Sequence, residues 1–141
     1  MKVYVATLSL VSLFSYAGDY QTAAGLGHQF GGLLGAQFSY TTDSTKYYGA
    51  IGFIGAAVGV QTTFSEGSKH TYGVVLGREE LQSEDGFVFA TYDYHFNGLA
   101  NDGLVIRTGF GITREDSGGL FADTGNVESS TSLTLNIGYK F

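Results

Sequence analysis

The last eleven residues of the chain, 131–141, read Thr-Ser-Leu-Thr-Leu-Asn-Ile-Gly-Tyr-Lys-Phe. Side chains of an extended strand alternate between two faces. Leu133, Leu135, Ile137, Tyr139 and Phe141 therefore share one face, and Ser132, Thr134, Asn136, Gly138 and Lys140 the other. A strand so divided needs apolar surroundings on one side and polar surroundings on the other. The same two-residue period recurs along most of the chain and predicts a sheet that separates two environments. The absence of proline fits, because proline removes a ladder hydrogen bond from a paired strand. Twenty-two glycines, ten tyrosines and eleven phenylalanines suit a closed barrel, in which rings gather at interfaces and glycine makes room beneath them.

At 141 residues there is room for one domain. Past the amino terminus the apolar runs are short and broken by Gly, Ser and Thr, so none can form a spanning helix. Without cysteine there is neither a disulfide framework nor a thiolate metal site. Seven basic against 13 acidic residues argue against nucleic acid as a partner, since binding phosphate takes a basic footprint.

From Asp19 the alternation is regular. Ala24, Leu26, His28 and Phe30 form one row, and Leu34, Ala36, Phe38 and Tyr40 another. The combined run is too long for one strand, since about 9 to 11 residues cross a bilayer, so a tight hairpin is expected at Gly31-Gly32. Residues 47–64 keep their even positions apolar and read as one long strand or as two short ones joined near Gly55. The pattern predicts eight strands, at 19–30, 33–42, 46–54, 57–64, 70–80, 86–96, 103–114 and 130–141. An even count leaves both chain ends on one side. Short connections at 42–45, 65–69 and 97–102 lie on that side, and acidic connections at 80–85 and 115–130 on the other. Residues 1–17 have a charged start at Lys2, an apolar segment and a Ser15-Tyr16-Ala17 cleavage site, and read as a secretory signal peptide. The alternative is an additional first strand, in which case 47–64 would be a single strand.

The ending Leu-Asn-Ile-Gly-Tyr-Lys-Phe and the segment from Gly25 to Tyr40 resemble the small eight-stranded outer-membrane barrels of the OmpA and OmpX type. The resemblance implies a porin-like, transmembrane antiparallel up-and-down β-barrel in the outer membrane of a Gram-negative bacterium, with both termini periplasmic. It also implies a monomer bathed in outer-membrane lipid and lipopolysaccharide, whose closing strand is read by the barrel-assembly machinery. In that family the glycine-rich stretch usually flanks an inner turn, whereas the strand count puts Gly31-Gly32 at the outer end.

Asp93, His95 and Arg107 form the most chemical-looking cluster. If Phe96 pairs with Leu104, Asp93 stands opposite Arg107 and Phe89 over Gly111, all inside the barrel. Asn136 and Lys140 border the same lumen. An interior ion pair is the ordinary filling of an eight-stranded barrel, so these five residues are read as structural. No catalytic, cofactor-binding or metal site is expected. Some barrels of this class deacylate lipid A, and their motif resembles His-x-Ser-Asn, but His95-Phe96-Asn97 lacks the nucleophile the triad logic needs. His28 and His70 stand alone in sequence, without partners at metal-ligand spacing. Glu79, Glu80, Glu84, Asp85, Glu115 and Asp116 are read as a solvated rim, with divalent cations at the lipopolysaccharide layer as the sharper possibility. The function expected is non-enzymatic, structural or surface-interacting; the alternatives are a lipid A-modifying enzyme and a small-solute conduit.

Overall fold

The computed structural model describes residues 19–80, 83–116 and 127–141; the segment expected to be a signal peptide, residues 1–17, lies outside the described residues. The two-residue period becomes eight strands: β1 (Asp19–Gly27), β2 (Gly32–Thr42), β3 (Thr45–Gly52), β4 (Gly55–Thr63), β5 (His70–Glu79), β6 (Ser83–His95), β7 (Gly103–Asp116) and β8 (Val127–Lys140). Each pairs antiparallel with the next, and β8 returns to β1, closing an all-β, up-and-down barrel. Closure removes the unpaired edges that an open sheet would present.

The stagger follows from the register. A row of paired residues starting at Ala23 runs through Gln37, Ala50, Ala57, Gly77, Phe87 and Thr113 to Ser130. Ala23 itself pairs with Lys140, ten positions beyond Ser130 on β8. With eight strands this stagger requires a tilt of about 40° and leaves an interior just wide enough for side chains to fill.

Segment 47–64 is two strands. Its even positions point inward in β3, where Tyr48 and Ala50 are buried, and outward in β4, where Val58 and Val60 are exposed. The Phe53-Ile54 turn exchanges the parities, so the unbroken apolar even row is two faces joined at a hairpin.

Two other expectations are corrected. β1 stops at Gly27 rather than running to residue 30, and His28–Phe30 form a short 3-10 turn. His28 and Phe30 were expected to extend the outward row of Ala24 and Leu26; instead His28 is largely covered and Phe30 is fully buried. The cause is local: Gly27 has φ 110°, a conformation that leaves the strand and is costly for any residue with a Cβ. Gly31 and Gly32, at φ 83° and 112°, then return the chain to the wall. The acidic connections are also shorter than expected. Glu84 and Asp85 belong to β6, Glu115 and Asp116 to β7 and Glu128 to β8, because pairing of β7 with β8 continues as far as Asp116 with Val127.

Candidate functional site

Polarity across the wall is inverted relative to a protein with an apolar core. Buried side chains include Gln21, Gln37, Lys46, Gln61, Thr71, Asp93, His95, Arg107, Asn136 and Lys140. Exposed ones include Phe38, Ile51, Val58, Leu76, Val88, Phe110, Leu133 and Leu135. Strand alternation produces this: apart from Val75 and Val105, the described inward positions are polar, small or aromatic, and nearly every outward one is apolar.

Outside, most of the rings collect at one end. Tyr20, Tyr40, Tyr47, Phe64, Tyr72, Tyr92, Tyr94, Phe96, Tyr139 and Phe141 all lie near the end that carries the short turns and the carboxy terminus. Several touch their neighbours along the girdle, with centroids 5.1 Å apart for Tyr20 and Tyr40, 4.6 Å for Phe64 and Tyr72, and 5.2 Å for Tyr139 and Phe141. The Tyr92 hydroxyl lies 2.5 Å from His70 Nδ1, so the girdle has polar tips on apolar rings.

Inside, the five residues singled out from the sequence are all buried. Asp93 and Arg107 face each other in register, with Arg107 Nε 3.3 Å from Asp93 Oδ2. The angles do not suit a hydrogen bond, so the contact is Coulombic; the aligned bond of Arg107 runs from Nη2 to Gln37 Oε1, 2.9 Å. Gln61 Nε2 donates to Asp93 Oδ2. His95 Nε2 lies 3.2 Å from Thr71 Oγ1. Lys140 Nζ donates to the carbonyls of Gly98 and Leu99 at 2.7 and 2.9 Å, tying the β6–β7 turn, with buried Leu99, across that end of the barrel.

The centre of the lumen belongs to residues that sequence reasoning missed. Gln29, on the 3-10 turn, donates its backbone N–H to Asn136 Oδ1 at 3.0 Å, and its Oε1 accepts from the Tyr48 hydroxyl at 3.2 Å. The Phe30 ring lies so close to Gly25 and Gly138 that a Cβ at either would collide with it. The Arg107 guanidinium stacks on that ring at 4.7 Å and stands 5.5 Å from the Tyr48 ring. The turn is thus a plug made from the chain between β1 and β2. Lys46 is fully buried with 5.9 Å from Nζ to the Tyr48 ring, and Nζ has no hydrogen-bond partner among the described residues. A usable signal for Lys46 was its parity, two positions before inward Tyr48. No sequence pattern announced the plug, because its position depends on the space above Gly25 and Gly138.

His28 and Glu79 do not stand where the sequence suggested. Glu79 is turned inward and buried, and its Oε2 lies 2.9 Å from His28 Nε2, again off hydrogen-bond geometry. The imidazole meets Phe87 and Phe89 edge-on at 5.2 and 5.5 Å. Glu79 is therefore a lumen residue and leaves the solvated acidic rim; the reason is the alternation of β5, which also buries Thr71 and Val75. Ser83 pairs in register with Glu79, but its buried hydroxyl has no hydrogen-bond partner among the described residues. Among these residues no group of three or more His, Asp or Glu is arranged to hold a metal ion.

The class this arrangement defines is a closed eight-stranded barrel with an apolar outer wall and a filled polar lumen. Comparison with protein-family models, curated proteins and solved structures finds no match to this chain.

Proposed function

We propose that this chain is an integral protein of the bacterial outer membrane, non-enzymatic, with both termini periplasmic and a structural or surface-interacting role exercised through its acidic end. The inverted polarity of the wall carries this reading: apolar side chains outside and a hydrogen-bonded polar lumen inside suit a barrel whose solvent is lipid. The outward row on β8 from Leu133 to Phe141 spans nine residues. At a tilt near 40° it rises about 20 Å along the barrel axis, close to the roughly 25 Å of a transmembrane barrel's apolar band. The aromatic girdle supports placing the end that carries the termini at a membrane interface, where such rings sit. The test is expression of the full chain in a Gram-negative host followed by alkaline extraction and density separation. Recovery in the outer-membrane fraction after extraction is expected; a soluble protein would end the proposal.

One observation favours a second reading, a lipid-modifying enzyme. Glu79 stands beside an imidazole, as an orienting carboxylate does in a catalytic triad. Among the described residues no nucleophile is hydrogen-bonded to that imidazole. Mass analysis of lipid A from expressing cells decides: an acyl chain lost with the native chain and retained with His28→Ala would favour the enzyme.

A further inference from the structure

The two ends of the barrel differ in more than charge, and the outer end is itself uneven. With strands about 4.8 Å apart and tilted about 40°, a paired row climbs about 3 Å per strand along the axis, and one residue along a strand climbs about 2.5 Å. On that scale, and counted from Lys140 along the observed register, Leu34, Phe53, Val88 and Leu133 stand roughly 14 to 18 Å up, and Glu84, Arg114 and Glu128 roughly 25 to 30 Å. The β1–β2 and β3–β4 hairpins therefore end level with the apolar band of the far wall, while β6, β7 and β8 continue beyond it.

The tips of the short hairpins suit that level. In the first, His28 and Gln29 of the connection turn into the lumen, and the part that faces outward reads Gly31-Gly32-Leu33-Leu34; the second reads Gly52-Phe53-Ile54-Gly55, and neither stretch has a charged or polar side chain. Leu33 and Leu34 are each 60% exposed and Phe53 88%, the greatest exposure of any large apolar side chain described. Turns in hydrocarbon must satisfy their own backbone, because lipid offers no hydrogen bonds. Here the N–H of Phe53 donates to Leu34 O at 2.9 Å, the N–H of Glu80 donates to Ile54 O at 2.9 Å, and the N–H of Gly31 donates to His28 O at 3.1 Å. The facet ends at β5, where Arg78 lines a groove together with Glu84 and Asp85.

We propose that the outer rim over β1 to β4 is immersed in the acyl chains of the outer leaflet, with Leu33, Leu34 and Phe53 as its lipid contacts. Water-facing outer surface is then confined to the β5–β8 side. This inference rests on the membrane reading above, and the experiment separates the two. The chain has no native cysteine, so Phe53→Cys, Leu135→Cys and Glu84→Cys can each carry a single environment-sensitive fluorophore. The full chain, folded into phosphatidylcholine vesicles whose acyl chains are brominated near their middle, is then read by quenching, with circular dichroism confirming the fold of each variant. Quenching at position 53 similar to that at 135, and several-fold above that at 84, is the expected result. A label at 53 that behaves like the one at 84 while 135 is quenched overturns the inference and leaves the membrane reading standing. Absence of quenching at all three positions overturns both.

Discussion

At the scale of single residues the lumen is a problem of charge. Arg107, Lys46 and Lys140 share the lumen with two buried carboxylates among the described residues, Asp93 and Glu79; Glu79 lies against His28, and Lys46 has no hydrogen-bond partner among the described residues. Removing one partner of a buried pair strands the other, at about 3 to 5 kcal/mol. Arg107→Leu and Asp93→Leu are each expected to cost that much in equilibrium unfolding by urea. The double variant should lose less than the sum, by roughly 0.5 to 3 kcal/mol of coupling; strictly additive losses would argue against a direct pair. Lys46 behaves in the opposite way. A buried ammonium without an acceptor carries a desolvation cost of several kcal/mol, so Lys46→Met should leave stability unchanged or raise it, by about 1 kcal/mol or more. A clear loss in the same unfolding experiment would show that Lys46 has an acceptor.

At the scale of elements the 3-10 turn between β1 and β2 decides how the lumen is filled. Its Phe30 is wedged over Gly25 and Gly138 beneath the Arg107 guanidinium. Truncation of a buried Phe commonly costs about 3 to 5 kcal/mol, and Phe30→Ala is expected in that range by urea unfolding, with the barrel's circular dichroism retained. An effect below about 1 kcal/mol would mean that the ring is a lodger and the plug is held by the hydrogen bonds of Gln29. The hinge of this plug is Gly27, where positive φ and contact with the Asn136 side chain combine. Both follow from one glycine, so the strand that feeds the wall also feeds the core.

At the scale of the whole molecule, the proposed lipid solvent predicts a cost that depends on depth. An arginine on the lipid face of a barrel costs about 2 to 4 kcal/mol at the bilayer midplane and about 0 to 1 near the interfaces. Leu135→Arg, on the outward row of β8, should therefore destabilise the vesicle-folded protein by the larger amount, and Ser129→Arg, of the same outward parity toward the outer end of that strand, by the smaller. Equal and small effects at both positions would point to an aqueous exterior. The short seam matters at this scale too. β1 pairs with β8 over Ala23 to Leu26, because β1 turns into the lumen at Gly27, and the wall is lowest where the plug begins.

The alternation of apolar and polar residues by itself determined the strands, their inward and outward faces and the opposition of Asp93 to Arg107. Those features follow from a two-residue period and from the hairpin that joins neighbouring strands, both local to the chain. The period also misled where chain reversal exchanged its parity, at Phe53-Ile54, and where a positive φ ended it, at Gly27. Only the tertiary structure decided that Phe30 and Gln29 fill the lumen, that His28 meets Glu79 and that Lys46 shares the buried space expected for Lys140. These contacts join residues far apart in the chain, and the stagger of the closed barrel, a property of all eight strands together, sets which of them meet.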